Sequence, residues 1–203
     1  MRNTFADWGV ATLPLAGEKQ SGDIYVAKSW GNKFLAAVID GLGHGKHAAN
    51  AARIAAETLI SHASESDDVV SAVRLCHETI MRTRGVVLSL ALFDAVNHTM
   101  TWLGVGNVDG FLIHVDPQKN PAYESLTLRS GVVGYQIPFL RPSTIHVGKG
   151  DILIFSTDGI RSGFEREVNP EEAPQQIADK IMINYNRKTD DALVMVARYT
   201  CGL

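Results

Sequence analysis

Apolar residues along this chain fall into short runs rich in Val, Ile, Leu and Phe, broken by Gly, Asn, Asp and Pro. Strands are predicted at 23–27, 33–39, 86–94, 99–105 and 111–115, and again at 123–128, 143–147, 151–156 and 192–199. Many lie only a short turn apart, which favours antiparallel sheets over βαβ repeats. Three segments change to helical spacing. The run "HAANAARIAAETLI" at 47–60 is dominated by alanine, the best helix former and slim enough to lie close against a sheet. From Ser66 onward, Val69, Val73, Cys76 and Ile80 make one apolar stripe. The third helical segment begins "NPEEAPQQIADKIM". Asn169 is expected to cap it, Pro170 to take its first position, and Glu171 and Glu172 to complement its dipole, with regular helix from Gln175. Antiparallel strands with a few separated helices predict an α+β domain of two packed sheets with helices outside. No repeat, linker or low-complexity stretch divides residues 1–203, so one domain is expected.

Bulk properties narrow the function. The hydrophobic fraction of 45% and charged fraction of 20% over 203 residues are those of an ordinary soluble protein with a substantial core. Net charge is −3 with no basic run, which argues against nucleic acid as a partner. No apolar stretch approaches the roughly 20 residues that cross a bilayer. "MRNTFADWGVATLP" lacks the apolar segment of a secretion signal. Cys76 and Cys201 are too few and too isolated for a disulfide framework or a cysteine zinc site. A cytoplasmic location is expected.

Asp-Gly occurs at 40–41, 109–110 and 158–159. The dipeptide commonly marks a hairpin turn. Asp109-Gly110 suits that reading, because it lies between the strand-like runs "TWLGVGNV" and "FLIHV". The other two pairs differ. "FLAAVIDG" and "DILIFSTDG" are apolar strands that end on the acid, and neither is followed at once by another strand. A carboxylate at the end of a buried strand is partly desolvated and needs a partner. A hard cation is one such partner, since Mg²⁺ and Mn²⁺ prefer oxygen ligands. Glycine beside the acid leaves the backbone carbonyl accessible as a further ligand. Near the C-terminus, "RKTDDALVMVARY" sets Asp190 and Asp191 at the start of another apolar strand. Adjacent acids there either blunt a strand edge or join Asp40 and Asp158 at one rim, where a divalent ion would relieve their repulsion.

The elements "SGD" at 21–23, "VIDGLGHGKHAA" at 38–49, "STDGI" at 156–160 and "TDDALVMV" at 189–196 occur in that order across nearly the whole chain. This ordered set resembles the PPM, or protein phosphatase 2C-like, serine/threonine phosphatases, and within them the compact bacterial branch of sporulation and stress-response regulators. The resemblance implies a four-layer αββα sandwich with two Mn²⁺ or Mg²⁺ ions at the sheet rim. Asp40 would bridge the ions, the Gly41 carbonyl would bind one, and Asp158 and Asp190 would complete the other. Asp23 would hold metal-bound water or make a weak direct contact. Two such cations lower the pKa of a shared water and screen the phosphate, so hydroxide would attack phosphorus with no protein nucleophile. The implied substrates are phosphoserine and phosphothreonine on stressosome STAS-domain proteins, with no nucleic acid and no membrane involved.

Some features depart from the family pattern. Larger relatives carry an arginine before the first aspartate to grip phosphate, whereas here the segment is "GEKQSGD" with Lys19 as its cation. His44 fits the bacterial "DGxGHG" form and is open to two roles, general acid for the leaving oxygen or loop packing. His47 reads as a helix-start residue. Leu193 replaces a hydroxyl residue usual in the last motif, which leaves the choice between Asp190 and Asp191 open. A second reading is a catalytically weak or inactive binding module of the same fold, docking on a regulator.

Overall fold

The computed structural model describes residues 5–18, 20–63, 66–116, 118–119 and 121–201, so Lys19 lies outside the described residues. In chain order the strands are β1 (Ala6–Leu13), β2 (Asp23–Trp30), β3 (Lys33–Gly41), β4 (Val86–Asp94) and β5 (Thr99–Val105). They continue with β6 (Asp109–Ile113), β7 (Tyr123–Ser125), β8 (Ser143–His146), β9 (Ile152–Ser156) and β10 (Ala192–Tyr199). Helices α1 (Lys46–Ala63) and α2 (Val69–Ile80) sit between β3 and β4, and α3 (Pro174–Tyr185) precedes β10. Two five-stranded sheets result, ordered β1-β10-β9-β6-β7 and β2-β3-β4-β5-β8. Every strand pairing within them is antiparallel.

Side-chain alternation sets the layers. On β3, Leu35, Ala37 and Ile39 pack with the alanine face of α1 and with Val73 and Cys76 of α2. Phe34, Ala36 and Val38 point the other way, into the core between the sheets. On β10, Leu193, Met195 and Ala197 fill that same central core, while Ala192, Val194 and Val196 pack with Ile177, Ala178 and Ile181 of α3. Both faces of each central strand are therefore covered, which explains why these strands read as continuous apolar runs. The order of layers is helices, sheet, sheet, helix, as expected. Among the described residues, no helix is long and apolar enough to cross a membrane.

Three expectations are corrected. Asp109-Gly110 is not a hairpin turn, because β5 and β6 belong to different sheets and the chain crosses between layers at 106–108. Asp109 instead opens β6, opposite Ser156 of β9. Asn169 does not cap α3. Its side chain accepts from the Glu171 amide in a separate turn, and α3 starts at Pro174, with Gln176 accepting from the Ala173 amide. Strand β1 was not expected, since "ADWGVATL" mixes polar and apolar residues. Its Gly9 is required by packing, for a Cβ there would collide with the Gln175 backbone of α3.

Candidate metal centre at the sheet rim

Asp23 and Asp40 are direct cross-strand partners at the ends of β2 and β3. Asp40 stands there because β3 runs apolar through Ile39 and then meets α1. A Cβ on Gly41 would collide with the Ala48 carbonyl, so glycine at this point admits the helix. The Gly41 amide donates to the Gly22 carbonyl at 3.1 Å, closing the rim.

The opposite sheet brings the other acids. After β9 the chain turns through Thr157, Asp158 and Gly159, and a Cβ on Gly159 would collide with the Asp191 carbonyl. The Thr157 amide donates to Leu193 O at 3.1 Å, and the Leu193 amide donates back to Thr157 Oγ1 at 2.9 Å. The Thr157 hydroxyl in turn donates to Asp23 Oδ2 at 2.8 Å, joining the two sheets through buried groups. Asp158 is exposed and accepts from Asn107 Nδ2 at 2.9 Å.

The structure separates Asp190 from Asp191. Asp191 is 3% exposed, and its two oxygens accept from the Leu15 and Gly22 amides, each at 2.7 Å. Its carboxylate therefore anchors the segment that enters β2. Asp190 is exposed and accepts from the Asp191 amide at 2.8 Å, which leaves its second oxygen open to the rim.

These acids act on one another. Burial pushes Asp40 up to about 8, helped by the charges of Asp23, Asp158 and Asp190. Asp23 rises to about 7, again mainly through burial, although the Thr157 hydroxyl opposes the shift. Asp158 is raised by burial and by Asp190, against Asn107 and the Arg187 guanidinium. Among the described residues, no lysine or arginine forms an ion pair with Asp23, Asp40, Asp158 or Asp190. The donors are carboxylates and a backbone carbonyl, a set that suits Mg²⁺ or Mn²⁺ and not a soft metal. Among the described residues, no group of three or more His, Cys, Asp or Glu side chains is gathered tightly enough to hold an ion as it stands. The acids share one rim without forming a closed cage.

His44 lies on the exposed loop after β3, with Nδ1 bonded to Glu18 Oε1 at 2.8 Å. His47 is the second residue of α1, as expected of a helix-start residue. Thr157 and Asn107 were not singled out by sequence reasoning, and Asp109 was read as part of a turn. Thr157 lay inside the "STDGI" element, and Asn107 is the middle of "GNV" at 106–108. Asp109 was hidden by its apparent turn; burial, Glu165 and Asp158 all raise its pKa.

A helix-sheet-sheet-helix sandwich of this kind is the PPM phosphatase fold. The family described as Stage II sporulation protein E (SpoIIE) matches residues 31–200, and the chain belongs to it. The structure of RsbX in complex with magnesium superposes with a TM-score of 0.87 at 22% identity, covering 98% of each chain. A structure described as the bacterial stressosome, a modular system adapted to control secondary messenger signaling, gives a TM-score of 0.85 at 28% identity. It covers 95% of this chain and 99% of that one. The PP2C phosphatase domain of SpoIIE from Bacillus subtilis, with a fragment of its regulatory domain, gives 0.83 at 22% identity, over 98% of this chain and 64% of that one. No curated protein sequence matches the chain.

Proposed function

We propose that this chain is a cytoplasmic, Mn²⁺- or Mg²⁺-dependent protein serine/threonine phosphatase acting on phosphorylated stressosome STAS-domain regulators. The observation that carries the reading is the cross-strand pair Asp23–Asp40, raised by burial and mutual repulsion, with Asp158 and Asp190 brought to it from the opposite sheet. Two divalent ions would be held by Asp40, the Gly41 carbonyl, Asp158 and Asp190, with Asp23 beside them. Ions bound there supply Lewis-acid activation of water and screen the charge of a phosphate ester.

The remaining groups have supporting roles. Thr157 holds Asp23 Oδ2, leaving Oδ1 to orient the attacking water. Asn107 fixes one oxygen of Asp158, and Asp191 holds the backbone that positions Asp23. His44, tethered through Nδ1 to Glu18, keeps Nε2 to hand a proton to the departing serine or threonine oxygen. The STAS assignment is supported by the likeness to RsbX and to the stressosome structure.

The test is dephosphorylation of a phosphorylated STAS protein by the purified chain. Turnover is expected only with Mn²⁺ or Mg²⁺, and the folded substrate should outpace a short phosphopeptide of the same sequence. Chelator-insensitive turnover, or full activity in Asp40→Asn, would refute the proposal.

A further inference from the structure

An open groove of about 620 Å³ runs beside the acidic rim, between the first turns of α1 and the segment entering β2. Its polar walls are Gln20, Ser21, Lys46, His47, Asn50 and Arg53, and none of the described residues that line it is acidic. The size falls in the range of ligand sites. Ser21 connects it to the centre, since its hydroxyl oxygen accepts from the Asp23 amide at 3.0 Å. The same turn of α1 that carries Lys46 and His47 into the groove presses Ala48 onto Gly41, next to Asp40.

Charge in the groove runs opposite to its surroundings. The protein is net acidic, at −3, and the adjoining rim is a cluster of carboxylates. Lys46 and His47 are exposed, and neither has an ion pair among the described residues. Arg53 is held in place by Glu57 at 2.7 Å and Asn50 at 3.0 Å, which fixes its guanidinium in the wall. Gln20, Ser21 and Asn50 add amide and hydroxyl groups that can bond a peptide backbone.

We infer that this groove docks an acidic stretch of the substrate polypeptide, adjoining the phosphorylated residue. The inference rests on the phosphatase reading for the placing of that residue. Aspartates or glutamates beside the phosphoresidue would pair with Lys46 and Arg53, and such complementarity steers encounter and sets specificity. It would also offset the repulsion that an acidic substrate meets at a rim of carboxylates.

Binding can be measured apart from catalysis. A fluorescent peptide with one serine among glutamates, unphosphorylated, is titrated in chelator by anisotropy and compared with its glutamine counterpart. The glutamate peptide should bind about tenfold more tightly at low salt, a margin set by two or so exposed ion pairs. That margin should shrink as salt screens it. Lys46→Glu and Arg53→Glu should each abolish the preference, with Lys46→Ala as the milder variant should loss of the Arg53–Glu57 pair loosen α1. Arg82→Glu, an exposed site in the loop after α2, should retain it. Equal binding of the two peptides, equal loss in Arg82→Glu, or displacement of the peptide by an equal concentration of inorganic phosphate would each overturn the inference. Manganese-dependent hydrolysis of p-nitrophenyl phosphate by the wild type reads the phosphatase assignment separately. Absent hydrolysis with intact peptide preference would reject that assignment and leave the groove standing.

Discussion

Replacing Asp40 by asparagine should stabilise the metal-free protein, although it removes the residue placed at the heart of the site. The carboxyl is raised from the ordinary value of 3.8 to about 8, chiefly by burial and then by Asp23, Asp158 and Asp190. A raised carboxyl pKa means that stability is full below the unfolded value and is lost progressively as pH climbs to the folded value. Every tenfold change in proton affinity between the folded and unfolded chain corresponds to about 1.4 kcal/mol. Asp40 is only partly buried and shares its strain with Asp23, so solvent screening reduces the recoverable gain to about 2 kcal/mol near pH 8. Asparagine has nearly the same shape and carries no charge, so it relieves the repulsion without opening a cavity. For a chain of this size, 2 kcal/mol raises Tm by about 4–8 °C. The assay is thermal unfolding followed by circular dichroism, in chelator, for wild type and Asp40→Asn near pH 5 and pH 8. The variant should lead clearly at pH 8 and by less at pH 5. Adding Mg²⁺ at about a hundred times its Kd should then raise the wild type by about 2.7 kcal/mol and the variant far less, reversing the order. A variant no more stable than wild type at pH 8 in chelator would refute the account of these acids as mutually repelled.

Asp190→Asn and Asp191→Asn should part company. The first is expected to weaken Mn²⁺ binding, measured calorimetrically, with little change in Tm. The second should cost about 2 kcal/mol of stability, because two amides lose a charged acceptor. Gly41→Ala should lower stability by about 3 kcal/mol through overpacking against α1, seen as a lower denaturation midpoint in urea. Far from the rim, buried His114 bridges Asp151 and Glu124, each at 2.9 Å. His114→Ala should therefore cost about 3 kcal/mol by opening a cavity and removing one partner of buried Asp151, which keeps the Val115 and Gly148 amides, a loss readable in the same urea titration.

Local pattern made much of this molecule legible. The bounds expected for β4, β5 and β10 are those observed, because strands buried on both faces leave unbroken apolar runs between turn residues. The stripe of α2 was equally plain. Strand β1 escaped because it alternates weakly and its central glycine answers to a helix that packs across it. The N-terminus of α3 was misplaced because Asn169 and Pro170 form a convincing cap signal that the chain uses for a separate turn.

The acidic residues show where local reading ends. Their identity and their places at strand ends were written in the chain, as was the chemistry of an oxygen-only donor set. Which acid serves which purpose was not. Asp109 reads as a turn until β5 and β6 are seen in different sheets. Asp190 and Asp191 are equivalent in sequence, and only the Leu15 and Gly22 amides, brought from the far end of the chain, make one an anchor and leave the other open. The glycines after Asp40 and Asp158 suggested accessible carbonyls, yet their immediate reason is the close approach of Ala48 and Asp191. Sequence by itself determined most of the elements, the α+β class and the acids at the strand ends, because side-chain periodicity and strand termini are local properties. Tertiary structure alone decided the surroundings of each acid, because burial, mutual repulsion and backbone donors arise only when the two sheets close on one another.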